Sequence, residues 1–435
     1  MSGAPDTRSA ARRKRRVPRG TGVPPIEPTT TRRGAAQTAL RYLLAAFLLV
    51  APFPSSAGLR ATLLLAAGAW IALEALRSRQ WPWPPMPRGL LVAGIAWIAL
   101  CTASLAWSVD PRYSWEELQR EVGYGLLAFA VFFAASREPA DLHAAVRACL
   151  AGAVLLGAAA WLARALPTVP LAERYLAIEG SLSTQLVTVA PMLLILAARA
   201  PLGLAAPARA TGATAVLLAA AGFATENRMM WIALMVAVAC VAVAYRRGGA
   251  AHVAAGSRKA FIVALAAMAI GFVASSAYKA TRYYPANATT AESFAFDERP
   301  LIWDSAGELF DHRPWLGHGY GREIVGDGIA DGLARRGSGH WWLRHGHNVF
   351  MDAGLQMGVV GIAAYVALLA MLLRAFAAAG RTQDGWPLAA AGIAMTVALI
   401  AKNLTDDFYY RPNSLVFWAL CGMLLGLAGR SRRSA

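Results

Sequence analysis

Residues 349–373, VFMDAGLQMGVVGIAAYVALLAMLL, form an apolar run that contains a single charged residue, Asp352. A helix needs about 20 mostly apolar residues to cross the hydrocarbon core of a bilayer, so this run predicts a transmembrane helix. Similar runs recur at 38–54, 57–76, 88–107, 118–135, 141–163, 182–199, 208–225, 229–246, 259–277, 385–404 and 413–429. The sequence therefore predicts an all-α polytopic membrane protein with about twelve transmembrane helices.

The composition of the 435 residues agrees with a membrane protein, because 57% are hydrophobic, 15% are charged and the mean hydropathy is +0.43. Soluble domains average roughly 45–50% apolar and 25% charged residues. The net charge of +17 is therefore interpreted as a topology signal, and no nucleic-acid partner is expected. The four cysteines have no CxxC spacing, which argues against a disulfide framework or a thiolate metal site.

Basic residues predict the orientation of the chain. Residues 1–37 form a Pro/Arg-rich arm, predicted to be disordered, with the cluster ARRKRR at 11–16 ahead of the first apolar run. A basic cluster at that position is typical of a cytoplasmic anchor. Residues 38–277 are assigned to helices one to nine, and residues 349–435 to helices ten to twelve and a short tail. This alternation leaves both termini cytoplasmic.

A long outer loop, residues 278–348, separates helices nine and ten and contains five of the seven histidines. Loops of this length are usually functional, so this one favours an enzyme. The segment 300–310 has its apolar and small residues along one stripe and begins with proline, which predicts a short amphipathic helix. The following run, PWLGHGYG at 314–321, is predicted to be a turn or loop.

Three arginines stand at the outer ends of predicted helices, where a water-exposed site would be built. Arg228 follows Thr225-Glu226-Asn227 at the start of a helix, Arg299 precedes the amphipathic helix, and Arg174 lies between helices five and six. A guanidinium beside the positive N-terminal end of a helix can bind an anion. Arg228 could instead snorkel at the membrane edge, and Arg299 could form a surface ion pair with Asp297 or Glu298. Arg174 is the weakest candidate of the three.

The segment HWWLRHGHN at 340–348 contains the candidate general base. Neutral histidine is a usable base near pH 7, so His347 beside Asn348 is predicted to be catalytic, with a structural histidine as the alternative. The HxH spacing also suits zinc, but no third ligand follows at a metal-like spacing, so neither a metal nor a cofactor is predicted. His345 is expected to project in a different direction from His347.

Signatures of several other chemistries are missing from the sequence. It contains no Walker motif, no GxSxG and no GxGxxG after a strand, so ATP-driven transport and serine hydrolysis have no support. No acidic DxD pair stands at a water-exposed position, which argues against a metal–nucleotide glycosyltransferase. Secondary transport stays an alternative because twelve helices are typical of transporters. A long polar loop rich in His and Arg is not typical of them.

Three segments together resemble a known family: ERPLIW at 298–303, RPWLGHGYG at 313–321 and HNVFMDAGLQMG at 347–358. In their order and their place around the large loop, they are similar to the bacterial O-antigen ligase family. Its superfamily includes O-antigen polymerases and protein O-glycosyltransferases. Arg228 ahead of Trp231 is similar to the family's arginine before a Trp-bearing helix.

The resemblance implies a fold like that of lipid-carrier-dependent (GT-C-like) membrane glycosyltransferases, in the bacterial inner membrane with the loop 278–348 in the periplasm. It implies an inverting, metal-independent transfer of polysaccharide from undecaprenyl diphosphate to a sugar hydroxyl of lipid A-core in lipopolysaccharide biosynthesis. An O-antigen polymerase or a protein O-glycosyltransferase is the alternative, and a polysaccharide flippase or exporter is a remote one.

The resemblance also implies roles for individual residues. His347 would be the base, and the donor diphosphate would be bound by Arg228, Arg299 and Arg174. Asn348, His318 and Asp406 would support them. Two features depart from the family pattern: Glu226 places a carboxylate near Arg228, and EGSLS at 179–183 follows the pattern after Arg174 only loosely.

Overall fold

The structure, a computed structural model, describes residues 28–53, 55–166, 179–193, 208–247, 256–283, 299–338, 343–382, 385–407 and 409–434. Its helices are α1 (Pro28–Val50), α2 (Ala57–Ser78), α3 (Arg88–Ala103), α4 (Pro111–Glu117), α5 (Tyr124–Ala135), α6 (Pro139–Ala165), α7 (Glu179–Val189), α8 (Ala208–Phe223), α9 (Arg228–Arg247), α10 (Gly256–Tyr283), α11 (Arg299–His312), α12 (Gly326–Arg335), α13 (Val349–Ala379), α14 (Trp386–Asn403) and α15 (Pro412–Ser434). These ranges contain no strand, so the predicted all-α class is confirmed.

Eight helical stretches of the described chain are long and apolar enough to cross a membrane: Ala57–Ser78, Arg88–Ala106, Pro111–Ala135, Pro139–Ala165, Ile262–Ala280, Val349–Ala379, Trp386–Asn403 and Pro412–Arg430. Three apolar helices are shorter: Gly34–Val50, Gly212–Phe223 and Arg228–Val243. Together they match eleven of the twelve predicted spans, and the span at 182–199 continues beyond the described residues. The chain is a polytopic membrane protein, and the count of twelve stays a prediction.

The chain divides into two units between Ala39 and Leu40. In the first unit the described residues belong to α1, where the Thr38 hydroxyl donates to the Gly34 carbonyl at 2.9 Å. Residues 28–37 of the predicted arm thus form the start of α1, and residues 1–27 lie outside the described residues. Proline suits the first turn of a helix, and extending an apolar helix that already exists adds one hydrogen bond per ordered residue.

Two sets of packed helices in the second unit determine where polar side chains meet. α9 packs along α14, which brings the start of α9 next to the end of α14. α11 packs on both α12 and α13. The indole N–H of Trp303 on α11 donates to the Gly346 carbonyl at 3.0 Å, so α11 begins close to the start of α13.

The predicted amphipathic helix is confirmed as α11. Its face toward the protein buries Ile302, Ser305 and Ala306, as the stripe in the sequence indicated. These residues pack with Ile329 and Leu333 of α12, a helix that the sequence analysis did not identify. Together with Leu355 of α13, the two helices form a small apolar core, which anchors the part of the chain between α10 and α13 that the structure describes.

α13 is broken within its length, and the predicted loop after α11 fills the break. Gly358 has a φ of 64°, which interrupts the helical hydrogen bonding. The Val359 N–H donates instead to the Pro314 carbonyl at 2.8 Å, and the Gly319 N–H donates to the Gln356 carbonyl at 2.8 Å. Non-helical backbone at membrane depth is tolerated where other protein groups satisfy it.

Glycine is required at the two closest points of this contact. A Cβ atom on Gly358 would lie 2.2 Å from the backbone of Trp315, and one on Gly317 would lie 2.5 Å from the backbone of Gln356. Both residues also have a positive φ, which glycine adopts at no steric cost. The run PWLGHGYG is thus confirmed as a loop, and its glycines allow it to pack into the broken helix.

Candidate functional site

Asn348 joins the start of α13 to the chain that follows α14. Its side-chain oxygen accepts from the backbone N–H groups of Phe350 at 2.9 Å and Met351 at 3.3 Å, which caps α13. Its side-chain amide donates to the Leu404 carbonyl at 2.9 Å. The predicted supporting role of Asn348 is therefore expected to be positional: it holds His347 beside the segment after α14.

His347 faces a carboxylate from that segment. Its Nδ1 lies 3.7 Å from Oδ1 of Asp406, an ion-pair distance slightly longer than a hydrogen bond. The other ring nitrogen, Nε2, is buried and has no hydrogen-bond partner among the described residues. An imidazole oriented by a carboxylate at one nitrogen can take a proton at the other, which is the arrangement that a general base requires.

Asp406 is held by donors from α14, from the residue that precedes α9 and from its own loop. The Lys402 ammonium donates to its Oδ2 at 2.6 Å, the Asn227 amide donates to the same oxygen at 3.1 Å, and the Asp407 N–H donates to Oδ1 at 3.0 Å. Burial by itself raises the pKa of Asp406, but the adjacent Lys402 charge outweighs it and lowers the pKa below its ordinary value. The carboxylate is therefore ionised at neutral pH.

The two arginines predicted from the sequence, Arg228 and Arg299, begin α9 and α11 and are half-buried. Arg228 directly follows Asn227, the residue that contacts Asp406. The positive charge of Arg299 acts on Lys402. The fold thus gathers both arginines and the His347–Asp406 pair at one end of the bundle.

Glu226, the departure from the family pattern, has its own counterion. Its Oε1 accepts from Nη1 of Arg164 on α6 at 2.5 Å, and both side chains are largely buried. Glu226 has a φ of 49°, in the left-handed region. Because Arg164 balances its charge, Glu226 does not oppose an anion at Arg228.

A second polar group adjoins His347 and consists of His345, Arg322 and Asp407. The ring centroids of His345 and His347 are 3.8 Å apart, so the expectation that His345 projects elsewhere is wrong. The positive φ of His347 turns the chain back and brings the two rings together. Arg322 donates from Nη2 to Nε2 of His345 at 2.7 Å and from Nε to Oδ2 of Asp407 at 2.9 Å.

His345, Asp352 and Asp407 also present possible metal ligands, because one ligand atom from each lies within 4.8 Å of the others. A nitrogen and two carboxylates form a set that zinc or manganese accepts. Arg322 already donates to two of the three residues, and Asp352 Oδ1 accepts from the Gly346 N–H at 2.7 Å. Asp352 Oδ2 has no hydrogen-bond partner in the described structure. Metal independence remains a prediction.

His318 and Arg174 do not join this cluster in the described structure. Nδ1 of His318 bonds the Leu355 carbonyl at 3.0 Å beside the break in α13, and burial lowers the pKa of the ring. No hydrogen bond or ring contact of the described residues connects His318 to His347. If His318 has a supporting role, it is to stabilise the break in α13. Arg174 lies outside the described residues.

Sequence reasoning missed Lys402 and Arg322. Lys402 precedes Asp406 by four residues at the end of a predicted span, and an ionisable residue in a membrane helix is a functional signal that could have identified it. Arg322 has no such local signal, because its partners His345 and Asp407 are distant in sequence. Only the fold brings those three together.

A cavity of about 350 Å³, partly open to the surface, lies beside the second polar group. Arg322, Asp352 and Asp407 line its polar end. Its walls are mostly apolar and follow α3 from Leu90 to Ile98, about 12 Å at 1.5 Å per residue, with α5, α13 and α15 opposite. This shape fits an amphiphilic ligand with a polar head and an apolar chain.

Fold and site together define a polytopic membrane protein in which a half-buried histidine beside a buried carboxylate and two arginines that begin helices lie at one end of the bundle. Residues 213–366, from α8 to the first turns after the break in α13, match the family model described as O-antigen ligase. This segment belongs to that family, so the resemblance is confirmed, and the O-antigen ligase and polymerase superfamily is one of glycosyl transfer. The match covers about a third of the chain, including Arg228, Arg299 and His347. No curated protein matches the chain.

Proposed function

We propose that the protein is an O-antigen ligase, which transfers a polysaccharide from undecaprenyl diphosphate to a sugar hydroxyl of lipid A-core. The observation that carries this proposal is the buried Nε2 of His347, which has no hydrogen-bond partner in the described part of the chain, with Asp406 at Nδ1. Both lie at the end of the bundle where Arg228 and Arg299 begin their helices. That constellation combines a base with anion-binding groups, which is what transfer from a lipid diphosphate needs.

The proposed reaction is a single displacement at the anomeric carbon, C1, of the donor. The acceptor hydroxyl oxygen attacks C1 from the face opposite the diphosphate, and its proton passes to Nε2 of His347. The C1–O bond to the diphosphate breaks, and the lipid diphosphate leaves with the electron pair. The configuration at C1 is inverted. The ionised Asp406 stabilises the imidazolium that forms, as a carboxylate does beside other histidine bases.

Charge on the leaving group is the second demand of the reaction. Arg228 and Arg299 each combine a guanidinium with the positive end of a helix, so both are suited to hold the diphosphate as charge develops. Arg174 is kept as a third, weaker candidate for the same role. With two arginines neutralising the leaving group, the proposed mechanism requires neither a divalent metal nor another cofactor.

The donor's isoprenoid chain needs an apolar site, and the elongated cavity beside Arg322 is the candidate. Its polar end shares Arg322 and Asp407 with the group that contacts His345. The diphosphate is bonded directly to the first isoprene unit, so the chain must begin near the reacting atoms. A cavity whose polar end is lined by Arg322, the partner of His345, meets that requirement.

We further propose that the protein resides in the bacterial inner membrane with both termini cytoplasmic and residues 278–348 in the periplasm. Membrane lipids would then surround the apolar helices, and the donor and lipid A-core would meet at the periplasmic end of the bundle. The positive-inside distribution of Arg and Lys in the sequence supports this orientation.

The lipopolysaccharide ladder of a deletion strain tests the proposed reaction. For a ligase, polymerised chains stay on the carrier and the core remains bare, and the intact gene restores the ladder whereas the His347→Ala variant does not. A core capped with a single repeat would identify a polymerase instead. Glycan accumulating inside the cell would identify an exporter, and an unchanged ladder with loss of protein glycans would identify a protein O-glycosyltransferase.

A further inference from the structure

The turn formed by His345, Gly346 and His347 is fixed by contacts from two other helices. The Gly346 N–H donates to Oδ1 of Asp352 on α13 at 2.7 Å, and its carbonyl accepts from the Trp303 indole on α11 at 3.0 Å. His347 has a φ of 48°, a conformation that residues other than glycine adopt only where the surroundings impose it. These contacts determine the direction in which the His347 ring projects.

The ring of His345 covers one face of the His347 ring. Their centroids are 3.8 Å apart with an interplanar angle of 34°. Asp406 stands at the edge of the same ring, 3.7 Å from Nδ1. His347 is therefore confined between a neighbouring ring and a carboxylate, and rotation about its side-chain bonds would break one contact or the other.

The hydrogen bond from Arg322 determines that Nε2 of His345 is unprotonated. A guanidinium only donates hydrogen bonds, so Nε2 of His345 must accept the 2.7 Å bond from Arg322, and the His345 ring is not doubly protonated. Nδ1 of the same ring lies 3.2 Å from the backbone nitrogen of His347, so both ring nitrogens are held. Burial, then the proximity of His347 and Arg322, lowers the pKa of His345, which agrees with a neutral ring. Arg322 is itself fixed by the side chain and the backbone carbonyl of Asp407 and by stacking 4.1 Å from the Tyr410 ring.

We propose that Arg322 and His345 are positioning residues for His347. Arg322 fixes the His345 ring, and that ring keeps Nδ1 of His347 toward Asp406 and Nε2 toward the reacting hydroxyl. The inference rests on the proposed role of His347 as base. Neither Arg322 nor His345 exchanges a proton with substrate in this scheme.

Steady-state kinetics of the purified full-length protein in nanodiscs test this role with His345→Ala, His345→Gln and Arg322→Lys. We expect kcat to fall about 10- to 100-fold in His345→Ala, because a small misplacement of a catalytic group has that cost, while the donor KM changes less than about twofold. His345→Gln keeps an acceptor for Arg322 and should lose less. Arg344→Lys is the matched control, since exposed Arg344 is the neighbour of His345 and pairs only with Asp327 at the surface among described residues.

A double-mutant cycle separates positioning from a general loss of structure. In a His347→Ala background, His345→Ala should not lower the residual rate further, because there is no base left to position. An additional loss of similar size in that background overturns the proposal. If His347→Ala alone keeps the wild-type rate, the proposed function fails. If His347→Ala is inactive but His345→Ala and Arg322→Lys keep their kcat, only the positioning role fails.

Measuring activity after metal removal with EDTA tests the positioning role independently of the variants. Activity that survives EDTA in the wild type and in Arg322→Lys agrees with positioning by Arg322. Activity lost in EDTA and restored by Mn²⁺ or Zn²⁺ would instead assign His345, Asp352 and Asp407 as metal ligands and overturn the proposal.

Discussion

Nδ1 of His347 lies 3.7 Å from Oδ1 of Asp406, although the histidine precedes α13 and the aspartate follows α14. Asn348 closes the same gap by donating to the Leu404 carbonyl at 2.9 Å. The two helices between these segments form an antiparallel pair, and side chains join the start of α13 to the end of α14. Such a pair gives a base its orienting carboxylate without placing the two residues near each other in sequence.

The first prediction concerns His347. His347→Ala should reduce the ligation rate about 10²- to 10⁴-fold, the usual contribution of a general base, and Asp406→Asn should reduce it by a smaller factor. The measurement is glycan transfer to lipid A-core by purified variants, with membrane expression checked. His312→Ala, an exposed histidine at the end of α11, is the control and should transfer normally. Full activity of His347→Ala would exclude it as the base.

The second prediction concerns the shape of the cations at the helix N-termini. Arg228→Lys and Arg299→Lys keep the charge but lose the planar fork that grips a phosphate by two parallel bonds. Loss of one charge-assisted bond of about 1.5–3 kcal/mol should slow transfer roughly 10- to 150-fold. The control is Arg335→Lys at the end of α12, which should leave the rate unchanged because Arg335 is an exposed partner of Glu308. Normal ligation by both variants would argue against bidentate binding of the diphosphate.

A third prediction concerns the apolar cavity. Gly94 lines it, and a Cβ atom at Gly94 would meet nothing within 4 Å, so Gly94→Phe should fill the cavity without a backbone clash. Excluding two or three methylene groups at about 0.8 kcal/mol each should raise the donor KM roughly 10- to 50-fold. Gly58→Phe is the control, because its Cβ also has open space but Gly58 is not part of the cavity wall. An unchanged donor KM in Gly94→Phe would place the isoprenoid chain elsewhere.

A fourth prediction concerns orientation. Asp331 on α12 and Ser78 at the end of α2 are both exposed, and the proposed topology puts Asp331 in the periplasm and Ser78 in the cytoplasm. An impermeant maleimide applied to intact spheroplasts should label Asp331→Cys and spare Ser78→Cys until the cells are opened. The native cysteines, three of them buried, provide the background measured in the wild type. The reverse labelling pattern would show that the chain has the opposite orientation in the membrane.

A fifth prediction follows from the lowered pKa of Asp406. Folding favours the ionised carboxylate, so its contribution to stability is complete above the unfolded-state pKa of about 3.9 and is lost as the pH falls below that value. The thermal midpoint in detergent should therefore fall less in Asp406→Asn than in the wild type when the pH is lowered from about 5 to about 3. Exposed Asp311→Asn is the control and should keep the wild-type slope. Equal slopes in all three proteins would contradict the stabilising pair with Lys402.

The sequence by itself determined the all-α membrane class, the amphipathic helix α11 and the loop PWLGHGYG. These features depend on local patterns: apolar length, a stripe with helical spacing, and glycines that permit positive φ. The O-antigen ligase resemblance came from the same kind of short, ordered motifs. His347, Arg228 and Arg299 were identified because each stands at the end of a predicted helix, and the structure gathers them at one end of the bundle.

Only the tertiary structure decided which groups surround His347. Asp406, with its partner Lys402, reaches His347 because α13 packs along α14. Arg322 reaches His345 because its loop fills the break in α13. The pattern of residues along the chain does not predict these contacts, because a hydrogen bond depends on the distance between two groups in space and not on their separation in sequence. The stacking of His345 on His347 likewise depends on a positive φ that neighbouring contacts impose on a residue other than glycine.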